Sequence, residues 1–268
     1  HFFADTDPEA LGHKALAVNL SDLAAMGATP RWALLAVALP AADEAWLAAF
    51  ARGFLALAEA HGVELIGGDT TRGPCNLSVT ILGEVEPGHA LRRDAARVGD
   101  DIWVSGELGG AALALRYLRG EVALAPADRT ACHARLHRPQ PRVALGRALA
   151  GVAHAAIDVS DGLLADLGHV LTRSRVGAEI DLTALPLAPA IAARGEALID
   201  CALAGGDDYE LCLTAPVSAR AALAEAARVS ATPLSRIGAV TDAPGLVLRD
   251  GTGCRVTPAQ TGYDHFRA

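Results

Sequence analysis

Between Glu86 and Gly99 the chain runs Glu-Pro-Gly-His-Ala-Leu-Arg-Arg-Asp-Ala-Ala-Arg-Val-Gly, a loop-rich stretch with turn residues near both ends. The pattern of strands and helices stops there and then begins again, which more than any other feature limits what the chain can fold into. Before the break, Asp7-Pro8 reads as a helix N-cap followed by proline at the first helical position. That helix runs to Met26 and stops at Gly27. Arg31 to Leu39 is an apolar run between prolines and reads as a buried strand. Asp43 to His61 is an amphipathic helix, Val63 to Ile66 a short strand ending in Gly67-Gly68-Asp69, and Asn76 to Glu84 another strand. After the break come a strand from Asp101 to Ser105 and a helix from Gly109 to Leu118. A strand from Ala155 to Ile157 then feeds a helix that ends near Arg173. An extended segment from Gly177 to Leu182, a strand from Tyr209 to Thr214, a helix from Ser218 to Val229 and a hairpin across Leu246 to Val256 complete the series. The strands are not consistently of the kind buried on both faces of a parallel sheet. The expected class is therefore α+β with two mixed α/β domains, residues 1–88 and 89–268.

Composition narrows the function classes. With 31 acidic against 23 basic residues the formal charge is -8, which argues against a broad nucleic-acid footprint. There is no uninterrupted apolar run of the length, roughly eighteen residues, that would mark a membrane span. His1-Phe2-Phe3 has neither the basic nor the apolar region of a signal peptide, and the single methionine is Met26, so the chain is expected to begin inside something longer. Five cysteines without CxxC spacing read as small buried hydrophobes in a reducing, cytoplasmic setting. Trp32, Trp46 and Trp103 read as core, and His13, His61 and His154 as structural or surface residues.

Three segments place an aspartate where the backbone is tight or entering a helix. Asn19 and Asp22 share one face of the first helix, where a carboxylate among Leu, Ala and Met is costly unless paired or bound to a cation. Gly67-Gly68-Asp69-Thr-Thr-Arg72 lets the backbone approach a ligand, offers Asp69 to a hard cation and offers Arg72 to a phosphate. Asp158-Val-Ser160-Asp161-Gly162 ends an apolar strand and opens a helix, where anions are favoured and Ser160 is a candidate cap. Lys14 is the only lysine and has neither a Walker A nor a protein-kinase context. An ATP enzyme built from this sequence would therefore neutralise phosphates with metals and arginine, without a P-loop lysine. Gly106-Glu-Leu-Gly109-Gly110 opens a helix and could hold a phosphate, but it reads first as a close-packing site.

These strings resemble bacterial thiamine-monophosphate kinases: Asn19-Leu-Ser-Asp22-Leu-Ala-Ala-Met-Gly, Gly67-Gly-Asp69-Thr-Thr-Arg-Gly73, Ile157-Asp-Val-Ser-Asp161-Gly162, Ala90-Leu-Arg-Arg93, Gly205-Gly-Asp-Asp-Tyr-Glu210 and Gly262-Tyr263-Asp-His-Phe266. The resemblance spans the chain, and its first string is shared more loosely with aminoimidazole ribonucleotide synthetase and selenophosphate synthetase. It implies ATP plus thiamine monophosphate giving ADP plus thiamine diphosphate, with Mg²⁺ and a homodimer built from the N-terminal domains. The C-terminal domain is then an α/β sandwich-like unit. By position it makes Asp22, Asp69, Asp158 and Asp161 metal ligands, and it puts Gly68, Asp69, Arg93 and Ser160 at the nucleotide. His1, Asp207 and Tyr263 fall at thiamine-phosphate positions. No general base is implied, because a phosphate nucleophile is already ionised. The family carries a Gly-Asp-Asp motif and a Thr-Asp segment before the His-Phe with which this chain starts, so the metal cluster is incomplete as written. Asp207 also stands where the family usually has Glu. The alternatives are another ATP-dependent enzyme of the same superfamily and a non-catalytic thiamine-phosphate-binding protein.

Overall fold

Asp7 caps the first helix, its carboxylate accepting from the amide of Ala10 (2.9 Å), and Pro8 occupies the first helical position, as expected from the sequence. In the computed structural model, which describes residues 2–260 and 262, this helix, α1 (Pro8–Ala25), is followed by β1 (Thr29–Leu39), α2 (Glu44–Ala60), β2 (Glu64–Arg72) and β3 (Asn76–Glu84). The three strands form one sheet in the order β2-β1-β3, with β1 parallel to β2 and antiparallel to β3. Both helices lie on one face. They approach so closely that a Cβ on Gly12 would stand 2.0 Å from the carbonyl oxygen of Phe50, and one on Gly53 would stand 1.8 Å from that of Glu9. Glycine at both positions is what lets the backbones touch.

β2 is longer than the sequence indicates. The residues Gly67-Gly68-Asp69 continue the strand, in register with Leu34, Leu35 and Ala36 of β1, and do not end it. Trp32 does not join the core. It sits opposite Leu82 in the β1–β3 register, and both side chains stand exposed on the face of the sheet away from the helices, along with Leu34.

The second half contributes β4 (Asp101–Ser105), α3 (Gly110–Leu118), α4 (Pro126–His137), α5 (Val143–Leu149), β5 (Ala155–Asp158), α6 (Leu163–Ser174) and β6 (Gly177–Asp181). The short helices α7 (Pro189–Ala192) and α8 (Ile199–Leu203) follow, then β7 (Leu211–Ala215), α9 (Arg220–Val229), β8 (Leu234–Thr241), β9 (Gly245–Arg249) and β10 (Arg255–Val256). Seven strands form a mixed sheet in the order β10-β9-β6-β8-β4-β7-β5. The helices α4 and α5 and the central strand β8 are elements that the sequence pattern does not reveal.

One apolar core joins the two halves. Leu16, Leu20 and Phe54 of the first pack with Leu145, Leu149 and Leu213 of the second. Full burial of such side chains is worth about 1.5–3 kcal/mol each, so α1 is held firmly against α5 and the end of β5. A second core, with Ile102, Ile157, Leu163, Leu167 and Ile180, lies between the large sheet and α6. Three of the cysteines, Cys132, Cys201 and Cys212, are buried as expected, whereas Cys75 and Cys254 are exposed. Trp46 and Trp103 are partly buried against the first core.

Candidate active site

Packing α1 against β5 opens a cleft of about 940 Å³ along the seam between the halves. Its acidic wall carries Asp22 from α1, Asp158 from the end of β5, and Ser160 and Asp161 from the turn into α6. The same cleft is lined by Lys14, two turns before Asp22 on α1, and by Asp207, Arg116 and Arg119. Phe2 and Gln260, near the two ends of the described chain, also line it.

The turn carrying Ser160 and Asp161 is built differently from a Ser-capped helix. The helix begins at Leu163 behind Gly162, without a side-chain cap. The amides of Ser160 (2.9 Å) and Asp161 (3.0 Å) instead donate to one oxygen of Asp166, a buried residue in the first turn of α6. Asp166 is a supporting residue of this turn that the sequence reading missed. Its signal is a carboxylate five positions beyond Asp161, on the face of the helix that points back at the turn. Burial pushes its pKa up, and the two amide donors work against that rise.

The Gly205-Gly206-Asp207 segment is held to the same turn. The amide of Asp207 donates to the carbonyl of Ser160 (2.9 Å) and that of Tyr209 to the carbonyl of Val159 (2.8 Å). A Cβ on Gly206 would lie 2.3 Å from the Ser160 carbonyl oxygen, so only glycine allows this approach. Behind it, Asp208 is buried and both its oxygens accept from the amide of Gly109 (2.9 Å). The 106–110 glycine segment therefore serves packing, as expected. Glu210 is buried too, accepting from Ser105 (2.6 Å) and pairing with Arg142 and Arg135.

Electrostatics mark the acidic wall. Burial, and then the charge of Asp22, push the Asp158 carboxyl up to about 6, while the Ser21 hydroxyl beside it pulls the other way. Asp22 is raised by partial burial, against the pull of Arg93. Arg93 thus acts on the acidic wall although it lies in the inter-domain loop. Asn19 does not join Asp22, because its amide nitrogen donates back to the carbonyl of Ala15 (2.8 Å).

Among the described residues, no three His, Cys, Asp or Glu side chains group closely enough to form a finished metal cage. Asp22 and Asp158 do form an interacting carboxylate pair at the cleft, with hard oxygen donors. That fits a cation such as Mg²⁺, which is usually bound by one or two carboxylates plus substrate phosphates and retained waters. Asp69 and Gly68 do not line the cleft. Both are exposed on β2, where an Asp69 oxygen accepts from the amide of Thr70 (2.8 Å). His1 and Tyr263 lie outside the described residues.

Fold and cleft together define an AIR synthase related protein: residues 1–85 match the N-terminal domain of that family and residues 97–251 its C-terminal domain. Thiamine-monophosphate kinase of Escherichia coli (strain K12) is 46% identical over 271 residues, covering 99% of this chain and 83% of that protein. The crystal structure of thiamine-monophosphate kinase from Stenotrophomonas maltophilia K279a is 53% identical, with a TM-score of 0.88 over 92% of this chain and 81% of that one. AaThiL complexed with AMPPCP and TMP is 33% identical, with a TM-score of 0.86 over 99% of this chain and 83% of that one. The chain belongs to the thiamine-monophosphate kinase family.

Proposed function

We propose that this chain transfers the γ-phosphoryl group of ATP to thiamine monophosphate, giving ADP and thiamine diphosphate. The observation that carries the reading is one cleft lined by the carboxylates of Asp22, Asp158 and Asp161 together with Lys14, Asp207 and two arginines. A related protein of the same fold has been captured with AMPPCP and TMP together, which supports a site for two phosphate-bearing ligands at once.

The terminal phosphate oxygen of thiamine monophosphate attacks the γ-phosphorus in line, and the ADP oxygen leaves on the opposite side. That nucleophile is ionised near neutral pH, so the chain needs no general base. The work of the protein is to align two anions that repel each other. Asp22, Asp158 and Asp161, with Asp69, would hold Mg²⁺, which when bound offsets the charge of both reactants. The place of Asp69 in that set rests on its Gly-Gly-Asp-Thr-Thr-Arg motif alone, since it stands outside the cleft lining. Gly68, Arg93 and Ser160 take the nucleotide, and His1, Asp207 and Tyr263 take thiamine monophosphate. Tyr263 suits a cationic thiazolium ring, which an aromatic face attracts.

Residues 1–88 and 89–268 act as two domains, and the first also dimerises. The exposed apolar face of its sheet, with Trp32, Leu34 and Leu82, is the natural contact. We place the protein in the cytoplasm; among the described residues no helix is long and apolar enough to cross a membrane.

The test is coupled ADP release from full-length protein with ATP, Mg²⁺ and thiamine monophosphate against a control without thiamine monophosphate. Release that depends on thiamine monophosphate, with thiamine diphosphate as product, is the expected result. Release without that dependence points to another substrate of the superfamily, and binding without release to a non-catalytic protein.

A further inference from the structure

The one lysine of the chain is spent inside the cleft. The Lys14 ammonium, on a side chain 9% exposed, pairs with Asp207 Oδ2 at 3.1 Å. The other oxygen of the same carboxylate accepts from the hydroxyl of Tyr209 at 2.9 Å. Each oxygen is therefore fixed by one donor, from a different element. A carboxylate has about four acceptor positions, so this arrangement leaves acceptor capacity for a ligand. Asp207 keeps 29% of its side-chain surface, so it is not sealed off.

The backbone is strained in support of this geometry. Asp207 has φ +69° and Tyr209 φ +50°, both in the left-handed region, which a residue with a Cβ adopts only at a cost. The hydrogen bonds from the amides of Tyr209 and Asp207 to the carbonyls of Val159 and Ser160 keep the segment there. A buried ammonium is itself unfavourable unless paired. Packing on the apolar helix α1 would be satisfied by leucine or methionine, so core formation does not explain a lysine here.

We propose that Lys14 and Tyr209 are positioning residues for substrate recognition. Together they hold the Asp207 carboxylate so that its remaining lone pairs meet the amino group or cationic ring of the acceptor substrate. Thiamine monophosphate carries both, an aminopyrimidine and a thiazolium. The proposal rests on the kinase reading above and on Asp207 facing that substrate. It assigns Lys14 no contact with ATP.

The test is steady-state kinetics of the full chain with Lys14→Met, Lys14→Arg, Tyr209→Phe, Asp207→Asn and the Lys14→Met/Asp207→Asn double variant, each checked by thermal melting. Lys14→Met and Tyr209→Phe are expected to raise KM for thiamine monophosphate about tenfold, the usual scale for a hydrogen bond to a charged group. KM for ATP should stay within twofold, and Lys14→Arg should recover most of the loss. In the Asp207→Asn background, Lys14→Met should add little, because the lysine acts through the carboxylate. Tyr209→Phe removes only a hydroxyl and keeps the test valid if Lys14→Met does not fold. An unchanged KM for thiamine monophosphate in Lys14→Met and Tyr209→Phe, with a raised one in Asp207→Asn, overturns the proposal and leaves the kinase reading standing. Full additivity in the double variant overturns it too, by making Lys14 a direct contact. A normal KM in Asp207→Asn removes both the proposal and the substrate role of Asp207. Absence of turnover dependent on thiamine monophosphate in full-length protein that carries the family's Gly-Asp-Asp and Thr-Asp segments removes the kinase reading itself.

Discussion

Asp158 sits beside Asp22 where β5 meets α1, and its carboxyl, raised to about 6 by burial and then by that neighbouring charge, ionises at a cost to the fold. The unfolded chain ionises this acid near 3.8. Stability is therefore lost as pH rises from about 4 to about 6, and stays lost above that. At neutral pH the penalty is on the order of 3 kcal/mol in metal-free protein. Asp158→Asn is expected to melt several degrees higher than the unaltered chain at pH 7.5 without divalent metal, and to lose turnover. Mg²⁺ should raise the melting temperature of the unaltered chain and have a much smaller effect on the variant. A variant that melts no higher than the parent contradicts the penalty.

Asp166 tests the turn that carries Ser160 and Asp161. Both amide hydrogen bonds end on the same oxygen of Asp166. Asp166→Asn can keep both with its single carbonyl oxygen and should stay near wild type in stability. Asp166→Ala leaves two amides without their acceptor and should cost about 1–3 kcal/mol. It should also raise KM for ATP, since Ser160 and Asp161 lose their fixed position. Equal melting temperatures and ATP kinetics for Asn and Ala would show that the turn is held by its other contacts.

Acid should destabilise the first half through its histidines. Burial lowers the pKa of His13, and burial followed by the nearby His13 lowers that of His61, both from an ordinary value of 6.5. The unfolded chain therefore takes up protons first. Stability falls as pH drops through 6.5 toward the lowered values of the folded state. Asp158 works in the opposite direction over part of this range, so the effect is read most clearly in Asp158→Asn. Urea unfolding of that variant should weaken from pH 7 to pH 5.5, and adding His61→Gln should flatten the slope. A slope unaffected by His61→Gln would assign the acid sensitivity elsewhere.

How far the sequence revealed the molecule depends on the range of the interactions involved. Local chemistry was readable: Asp7 and Asp43 cap their helices, and β3 and β4 have the expected bounds. Elements whose pattern is set by distant partners were not. β8, Leu-Ser-Arg-Ile-Gly-Ala-Val-Thr, has a glycine and weak alternation, yet pairs with both β4 and β6. α4 is polar along most of its length and is held by packing against α3. In the site, the aspartates of the acidic wall stood out because carboxylates are conspicuous in apolar or glycine-rich surroundings. Lys14 and Tyr209 did not. Their role comes from an ion pair across 193 positions and from a backbone conformation, neither of which leaves a local motif. Trp32 failed for a related reason: hydrophobicity marks burial without saying whether the cover comes from the same chain.

Trp32 also supplies the last test. It lies opposite Leu82 on a sheet whose other face is filled by Leu35, Val79 and Ile81 against the helices. Trp32 at 39% exposure and Leu82 at 42% lie side by side with Leu34 on this face, and a contiguous apolar patch of that kind marks an interaction surface. Self-association through two copies of this sheet removes that surface from water. Replacing both with charge, Trp32→Glu with Leu82→Lys, sets unlike charges side by side within one copy, so the monomer's own sheet loses little. It leaves an ion pair that would have to be stripped of water at the contact between copies, a cost of several kcal/mol. Sedimentation should find the unaltered chain dimeric at micromolar concentration and the double variant monomeric with an unchanged far-UV spectrum. If the variant sediments as the unaltered chain does, the contact between copies lies elsewhere, and the exposed sheet then faces some other partner.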